Sequence, residues 1–341
     1  MTDAIPLTDL PRRVATVNDV ALLAGVSKGT VSKVLNGKAG ISVETRAHVE
    51  AAAKKLSFRP NPLAQGLLVG KTGTVGLLTN DLEGRFSLPI LMGAEDALGA
   101  GKLSVFLCDA RGDFIREQYH LDALLNRRVD GLIVVADKAA PRPSLGRNLP
   151  VPVVYAYGAS VDPEDMSVLT DNRQAGRIGI EHLVGAGRTR VAYVGGDSTY
   201  DAAILRADGA TEALTSAGLE LVTPVLYGPW SETWGRHAAR IVLDRAPSVD
   251  AIMCGSDQIA RGVMDTLRES GRSIPEDVAV LGHDNWEIFA AEARPPLSSV
   301  DMNFQKVGRL AAHLLFEAMN GSPRPGSHIV GGRVVNRAST I

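Results

Sequence analysis

Residues 16–36 read TVNDVALLAGVSKGTVSKVLN, a stretch in which two short helical patterns are separated by a glycine turn. The apolar residues of the first pattern recur at helical spacing, at Val17, Val20, Ala21, Leu23 and Ala24. Thr16 and Asp19 form a capping pair that starts a helix, and Gly25 is placed to end it in the left-handed conformation. Ser27 then caps a second helix over 28–35. This pattern predicts a helix-turn-helix, whose second helix enters a DNA major groove; a purely structural helical hairpin is the alternative.

A third helix is predicted over 43–56, with Ser42 as its N-cap, while Asn36-Gly37 ends the second helix. The residues expected to be buried by the second and third helices are Val31, Val34, Leu35, Val49, Ala52, Ala53 and Leu56. The residues expected to point outward are Lys28, Gly29, Ser32, Lys33, Arg46, Lys54 and Lys55. The outward face is therefore rich in amines and hydroxyls, which donate hydrogen bonds to guanine acceptors and to phosphate oxygens.

Charge is divided unevenly along the chain, although the 341 residues sum to a net charge of only −2. Residues 1–70 carry nine basic and five acidic groups, which gives them +4 and leaves −6 on the remaining 271 residues. A small basic module joined to a mildly acidic body is typical of a nucleic-acid-binding arm with a partner domain of another function.

The basic head resembles the lactose-repressor (LacI/GalR) family of bacterial transcription regulators, and the resemblance extends over almost the whole chain from about residue 14. The runs that carry it are Val17-Asn18-Asp19-Val20-Ala21, Ala24-Gly25-Val26-Ser27, Thr30-Val31-Ser32, Val34-Leu35-Asn36 and Arg59-Pro60-Asn61. It implies a three-helix helix-turn-helix DNA-binding domain over 14–60, a hinge helix or linker over 61–71 and an effector-binding domain over 72–341.

The resemblance also implies DNA-contacting positions. Lys28, Gly29 and Lys33 match positions that face base edges in this family. Those matching residues that support or contact phosphates and neighbouring bases are Thr30, Ser32 and Asn36, to which we add Thr16, Ser27 and Arg46. Leu67 aligns with a hinge leucine that wedges into the minor groove and kinks the DNA by partly unstacking one step. Gly66 disfavours helix, so we expect the hinge to fold on DNA; a plain linker with buried leucines is the alternative.

From Gly73 onward, short apolar runs alternate with helical patterns. The predicted strands are 74–78, 103–107, 131–135, 151–155, 168–170, 191–194, 222–226, 251–254, 278–281 and a last one near 333–337. The predicted helices are 88–99, 115–127, a Pro-interrupted one near Ser144, 173–186, 206–217, 232–246, 258–270 and 307–320. Strands that alternate with helices of this length indicate an α/β fold with parallel sheets and right-handed crossovers.

By resemblance, these elements form a periplasmic-binding-protein-like effector domain of two parallel-sheet lobes. The first lobe takes 72–170 and 304–330, and the second takes 171–303 and 331–341. The chain then crosses between lobes three times, so the lobes can hinge around a ligand, which binds at the carboxyl ends of the strands.

The residues expected to line that cleft are Asp81, Phe86, Arg206, Trp230, Asp257, Asp284 and Phe304, with Asp109 and Tyr155 as weaker candidates. Aspartate and arginine grip ligand hydroxyls, and tryptophan packs on the C–H face of a sugar ring. Four of them have a structural alternative. Asp257 can cap a helix, Arg206 can bridge the lobes, Trp230 can fill the core, and Asp284 can lie in an interface.

Enzyme motifs are absent from the sequence, as are a Walker loop and His-Glu-x-x-His, and the seven histidines lack ligand spacing. We therefore expect no catalytic residues, no metal and no cofactor. No run of 18 apolar residues occurs, and the first residues lack a secretory pattern, so we expect no membrane association. Cys108 and Cys254 end apolar runs and are expected to be buried free thiols in a reducing cytoplasm.

These features together predict a cytoplasmic, sequence-specific DNA-binding regulator, acting as a repressor. A homodimer on a near-palindromic operator and a sugar or polyol effector complete the expectation. The alternatives are a regulator controlled by a corepressor or a protein partner, and a solute-binding protein that serves a transporter.

Overall fold

The computed structural model describes residues 15–35, 37–58, 71–80, 86–100 and 103–341. The chain divides into two compact units, Met1–Thr72 and Gly73–Ile341. Three of the predicted site residues, Asn36, Leu67 and Asp81, lie outside the described residues, as does the predicted hinge except for its last position.

The first unit contains three helices, α1 (Val17–Ala24), α2 (Lys28–Leu35) and α3 (Val43–Lys55). The capping box at the start of α1 is present: the Asp19 amide donates to Thr16 Oγ1 over 3.3 Å, and the Thr16 amide donates to the Asp19 carboxylate over 2.7 Å. Gly25 follows α1 with φ +67°, the left-handed conformation that lets the chain turn sharply into α2. The buried core of the unit is Val20, Ala21, Val31, Val34, Val49, Ala52 and Ala53. The predicted helix-turn-helix is confirmed.

The second unit contains two sheets. The first has the order β10-β5-β4-β3-β1-β2, and every neighbouring pair is parallel. Its strands are β1 (Thr74–Thr79), β2 (Ser104–Asp109), β3 (Gly131–Val135), β4 (Val153–Ala156), β5 (Met166–Thr170) and β10 (Gly326–Val330). Its helices are α4 (Ser87–Ala100), α5 (Phe114–Asn126) and α11 (Phe304–Met319). Helices α4 and α11 pack together, whereas α5 packs against β1 and β2.

The second sheet has the order β11-β9-β8-β7-β6. Its strands are β6 (Val191–Val194), β7 (Ala251–Cys254), β8 (Ala279–His283), β9 (Ser298–Asp301) and β11 (Arg333–Val335). Its helices are α6 (Asn172–Gly185), α7 (Asp201–Ser216), α8 (Glu232–Arg245), α9 (Asp257–Glu269) and the short α10 (Glu287–Ala290). Helices α6 and α7 pack together, and so do α8 and α9. The last strand, β11, runs antiparallel to β9, which the parallel prediction did not include.

The chain passes between the sheets three times, from β5 to α6, from β9 to α11 and from β10 to β11. All strands of the first sheet except β10 precede residue 171, and β10 joins it after the second sheet is nearly complete. The parallel α/β layout with helices between strands is as predicted.

Three predicted elements are wrong or shifted, and two observed strands were not predicted. The strand predicted over 222–226 forms only an isolated bridge between Val194 and Leu226, because Pro224 lacks the N–H that a ladder requires. The helix predicted near Ser144 does not form, since prolines flank it and Gly146 has φ +104°. Helix α7 begins at Asp201 and not at residue 206. Strands β9 and β10 were not predicted.

The thiol prediction holds only in part. Cys254 is fully buried at the end of β7, whereas Cys108 in β2 is half-buried, because β2 is the edge strand of the first sheet. Over the described part of the chain, no helix is both long and apolar enough to cross a membrane.

Candidate functional site

The exposed face of α2 carries the predicted recognition residues. Lys28, Gly29, Ser32 and Lys33 are all exposed, while Val31 and Val34 on the opposite face are buried in the core of the unit. Ser27 caps the helix, because its Oγ accepts a hydrogen bond from the Thr30 amide over 3.1 Å. The Oγ atoms of Ser27 and Thr30 also lie 3.0 Å apart. The start of α2 is therefore pre-ordered, and its exposed groups are amines and hydroxyls that suit an acidic, hydrogen-bonding partner.

Arg46 of α3 does not point outward as predicted. Its side chain is half-buried, and its guanidinium donates to the Val34 carbonyl over 3.3 Å and to the Lys38 carbonyl over 3.1 Å. These carbonyls belong to the last turn of α2 and the loop after it, where helical acceptors lack partners within the helix. Arg46 thus joins α3 to the end of α2, and contact with phosphate stays a prediction for its remaining N–H groups.

In the second unit, Arg206 is the centre of a buried polar cluster. The residue is 2% exposed, its Nε donates to Asn172 Oδ1 over 2.8 Å, and its Nη1 donates to the Gly255 carbonyl over 2.8 Å. Nη1 also lies 3.6 Å from Asp284 Oδ1. Asn172 follows β5, Gly255 follows β7 and Asp284 follows β8. The guanidinium therefore contacts polar groups at the ends of three strands. Such strand ends are where parallel sheets bind ligands.

Close packing of α6 on α7 places Arg206 there. Gly176 of α6 lies so near α7 that a Cβ atom at this position would collide with the Arg206 carbonyl. Gly209 of α7 approaches the Arg173 carbonyl of α6 in the same way. Two glycines therefore let the helices approach closely, which brings a long side chain from α7 to the sheet edge.

Asp284 lies in a strained loop after β8. Its φ is +94° and that of Asn285 is +51°, so two successive residues other than glycine occupy the left-handed region. Asp284 Oδ1 lies 2.9 Å from His283 Nδ1. Asn285 is held on both sides: its amide donates to Ser299 Oγ over 2.9 Å, and its Oδ1 accepts from Arg337 Nη2 over 2.7 Å. These contacts hold the Asp284 carboxylate facing Arg206.

Asp257, the first residue of α9, is 1% exposed and supports this loop. Its Oδ2 accepts a hydrogen bond from the Trp286 amide over 2.6 Å, and its Oδ1 accepts from Ser299 Oγ over 2.5 Å. Burial, and then the nearby Asp284 carboxylate, raise the pKa of the Asp257 carboxyl well above its usual value. Both oxygens are thus engaged within the domain, and the geometry makes Asp257 a residue that positions the 284–286 loop. Its predicted contact with a ligand stays a prediction.

Aromatic side chains gather on the first sheet and its helix α11. The ring centroids of Phe86 and Tyr157 are 4.7 Å apart, those of Phe86 and Phe304 are 5.0 Å apart, and those of Tyr157 and Phe304 are 5.6 Å apart. Tyr157 directly follows β4, and Phe304 begins α11. The structure therefore brings two predicted residues, Phe86 and Phe304, into one aromatic cluster with Tyr157.

Trp230 belongs to a different aromatic group. Its half-buried ring lies over Gly196, where a Cβ atom would collide with it, and contacts Tyr200 edge-on at 5.9 Å between centroids. Lys138, which follows β3 of the first sheet, places its Nζ 4.9 Å from the centre of the Tyr200 ring. This contact joins the carboxyl edges of the two sheets.

The two weaker candidates are engaged elsewhere. The Tyr155 hydroxyl accepts a hydrogen bond from the Leu145 amide over 2.7 Å, and the side chain is 1% exposed. Asp109 accepts from the Arg111 amide over 3.0 Å. Sequence reasoning missed Asn172, Tyr157 and Lys138, although each follows a strand closely enough for the strand-end rule to find it. Within the described ranges, no three His, Cys, Asp or Glu side chains are grouped as a metal site would require.

Two family models match the chain. Residues 16–61 match the model of bacterial regulatory proteins of the lacI family, and residues 180–340 match that of a periplasmic binding protein-like domain. Among relatives, the HTH-type transcriptional regulator CelR of Thermobifida fusca is 35% identical over 319 residues, which cover 91% of this chain and 93% of CelR.

Solved structures agree with this. A CelR–cellobiose complex is 32% identical with a TM-score of 0.63, and the match covers 95% of this chain and 99% of that one. The lac repressor dimer bound to operator and the anti-inducer ONPF is 26% identical with a TM-score of 0.80, and the match covers 96% and 100%. These relatives are transcription regulators and not enzymes. The predicted fold class and resemblance are confirmed, and the chain belongs to the lacI family of bacterial regulatory proteins.

Proposed function

We propose that this protein is a ligand-controlled repressor, which binds an operator through α2 and senses a sugar or polyol between its two sheets. The observation that carries the proposal is that one chain combines an exposed basic face on a helix-turn-helix with a buried Arg206–Asp284 pair at strand ends. The first feature suits DNA, and the second suits a small hydroxylated molecule.

On DNA, Lys28 and Lys33 would donate to base acceptors, while Thr16, Ser27, Thr30 and Ser32 would contact phosphates or neighbouring bases. Gly29 brings no side chain, so the helix backbone can approach the groove there. Asn36, Arg46 and Leu67 complete the proposed interface. A homodimer on a near-palindromic operator follows from two symmetry-related heads, and the operator-bound lac repressor dimer supports it. A DNA-bound regulator works in the cytoplasm.

For the effector, Arg206 supplies hydrogen-bond donors and Asp284 supplies acceptors, a pairing that grips neighbouring hydroxyls of a sugar. Trp230 offers an aromatic face of the kind that packs on sugar C–H groups, and Phe86 and Phe304 would contribute a second apolar wall. The cellobiose complex of CelR supports a carbohydrate ligand. Asp81 would add an acceptor, and Asp257 would act through the loop that holds Asp284.

Control follows from the three chain crossings between the sheets. A ligand that contacts both sheets favours the closed arrangement, in which the sheets surround it. The closed population can rise only as far as the difference between the ligand's affinities for the closed and open arrangements allows. Effector and operator must then change each other's affinity by the same factor. We propose no catalytic step, because the relatives are regulators.

The test has two parts. A thermal-shift screen of sugars, polyols and nucleobases identifies a ligand, since a molecule that binds only the folded state raises the melting temperature. Footprinting on DNA near the protein's own gene, with and without that ligand, then measures control. We expect protection of a near-palindromic site that the ligand weakens. Protection strengthened by the ligand would indicate a corepressor, and the absence of any protected site would refute the proposal.

A further inference from the structure

A pocket of about 330 Å³ lies at the carboxyl edge of the first sheet and is built wholly from first-sheet elements. It is lined by the residue after β1, the start of α5 and the segment that follows β3. Strands β2 and β3 lie on opposite sides of β1. Of the connecting helices, α4 packs against α11, whereas α5 packs against β1 and β2. The β1–β3 boundary is thus the switch point of the sheet, where α/β folds bind ligands.

The Glu117 carboxylate and the Arg142 guanidinium of the pocket neutralise each other. Glu117, 7% exposed, accepts two hydrogen bonds from the Arg142 guanidinium, over 3.1 and 2.7 Å, and one from Asn80 Nδ2 over 3.4 Å. Asp113 accepts from the Ile115 and Arg116 amides, which occupies the N-terminus of α5. The Arg142 guanidinium and the N-terminus of α5 are therefore engaged, and the three carboxylates of the lining outnumber its two cations, so a neutral ligand is favoured over an anionic one.

Asn80 offers one polar group that has no partner among the described residues. Its Oδ1 is buried, and no donor in the described ranges reaches it. A buried acceptor without a donor costs free energy, which a ligand hydroxyl would recover. Beside it, the Phe114 ring is 76% exposed, and Pro141 and Pro143 line the same pocket. An oxygen that can accept from a hydroxyl thus lies next to apolar and aromatic surface. This combination suits a sugar ring, which carries hydroxyls at its edge and C–H groups on its face.

The pocket adjoins the proposed effector cleft through Lys138. This residue lines the pocket, and its Nζ lies against the ring of Tyr200, which in turn contacts Trp230. We propose that the pocket is a second carbohydrate subsite, which takes the outer ring of an oligosaccharide effector whose inner ring lies at Arg206 and Asp284. This inference rests on the proposed function and narrows its ligand from sugars in general to those with at least two rings.

Isothermal titration calorimetry on the full-length protein tests it with matched sugars: glucose, cellobiose and maltose, and galactose and lactose. We expect the best disaccharide to bind at least about tenfold more tightly than its monosaccharide units. Asn80→Ala removes one hydrogen bond and should weaken that disaccharide about three- to tenfold. Ala140→Phe fills the pocket and should weaken it more. Both variants should bind the monosaccharide as the wild type does, which shows that the cleft is intact.

Gln118→Ala, at an exposed position of α5 outside the pocket lining, is the control and should change neither affinity. Equal affinities for a disaccharide and its units would overturn the subsite but leave the carbohydrate cleft standing. Equal losses for both kinds of sugar in Asn80→Ala and Ala140→Phe would also overturn it, because they would mark a structural role. If no sugar of the panel binds, the two-ring effector and its subsite are refuted, while the proposed sugar or polyol effector is decided separately by the thermal-shift screen.

Discussion

Asp257 offers the sharpest test of how the second sheet presents Asp284. Replacing it with alanine removes the acceptor of two donors, the Trp286 amide and Ser299 Oγ, in a place where water is largely excluded. Each buried donor that loses its partner costs about 1–3 kcal/mol, and the Trp286 amide is only partly buried, so we expect a loss of about 2–4 kcal/mol in unfolding free energy. The effector should bind more weakly as well, because the 284–286 loop is no longer held.

The matched variant is Asp257→Asn. Its amide oxygen can accept from the Trp286 amide, and its NH₂ group can donate to Ser299 Oγ once that hydroxyl rotates, so the loop should stay in place. Asparagine is also always neutral. We therefore expect it to cost far less than alanine and to keep effector binding near that of the wild type.

The two variants also separate charge from hydrogen bonding through pH. The pKa of Asp257 is raised in the folded state, so the folded protein holds this proton more tightly than the unfolded chain. This contribution to stability is complete below the unfolded pKa, near 3.8, and is lost as pH rises towards the raised folded pKa. Asp257→Asn lacks that loss. Its unfolding free energy minus that of the wild type should grow with pH across this window.

Urea denaturation followed by tryptophan fluorescence, at steps of pH, measures these differences, and titrations of other groups cancel between variant and wild type. Two results would refute the reasoning. Equal destabilisation by alanine and asparagine would mean that the two hydrogen bonds do not hold the loop. A difference between asparagine and wild type that is flat with pH would mean that the buried carboxyl is not perturbed.

Three further predictions concern other parts of the chain. Lys33→Ala should reduce discrimination between operator and unrelated DNA in binding assays, whereas a uniform loss on all sequences would contradict a base-facing role. Arg46→Ala should lower the melting temperature of the head, because α2 loses its link to α3; an unchanged melting temperature would favour a purely phosphate-binding role. Arg206→Met leaves the buried Asp284 carboxylate without its cation and should cost about 3–5 kcal/mol in urea denaturation, and a loss below about 1 kcal/mol would contradict the pairing.

The head shows how far local patterns reach. The caps of α1 and α2 and the glycine turn depend on contacts between residues at most a few positions apart, and all were readable from the sequence. The inward turn of Arg46 was not, because its partner Val34 lies 12 positions earlier and becomes its neighbour only when α2 and α3 pack. The position of a residue on a helical wheel therefore does not predict that it points to solvent when its side chain is long enough to reach the end of a neighbouring helix.

The sensing domain shows the same division. Alternating apolar runs and capped helices determined its α/β class, and a residue placed just after a strand was enough to single out Asp257 and Asp284. What each carboxylate does was decided only by the tertiary structure, since the Asp257–Ser299 contact spans 42 positions and the Arg206–Asn172 contact spans 34. Periodicity and capping are local properties of the chain, whereas the orientation of a buried polar group depends on which distant donors and acceptors the packed sheets bring within reach.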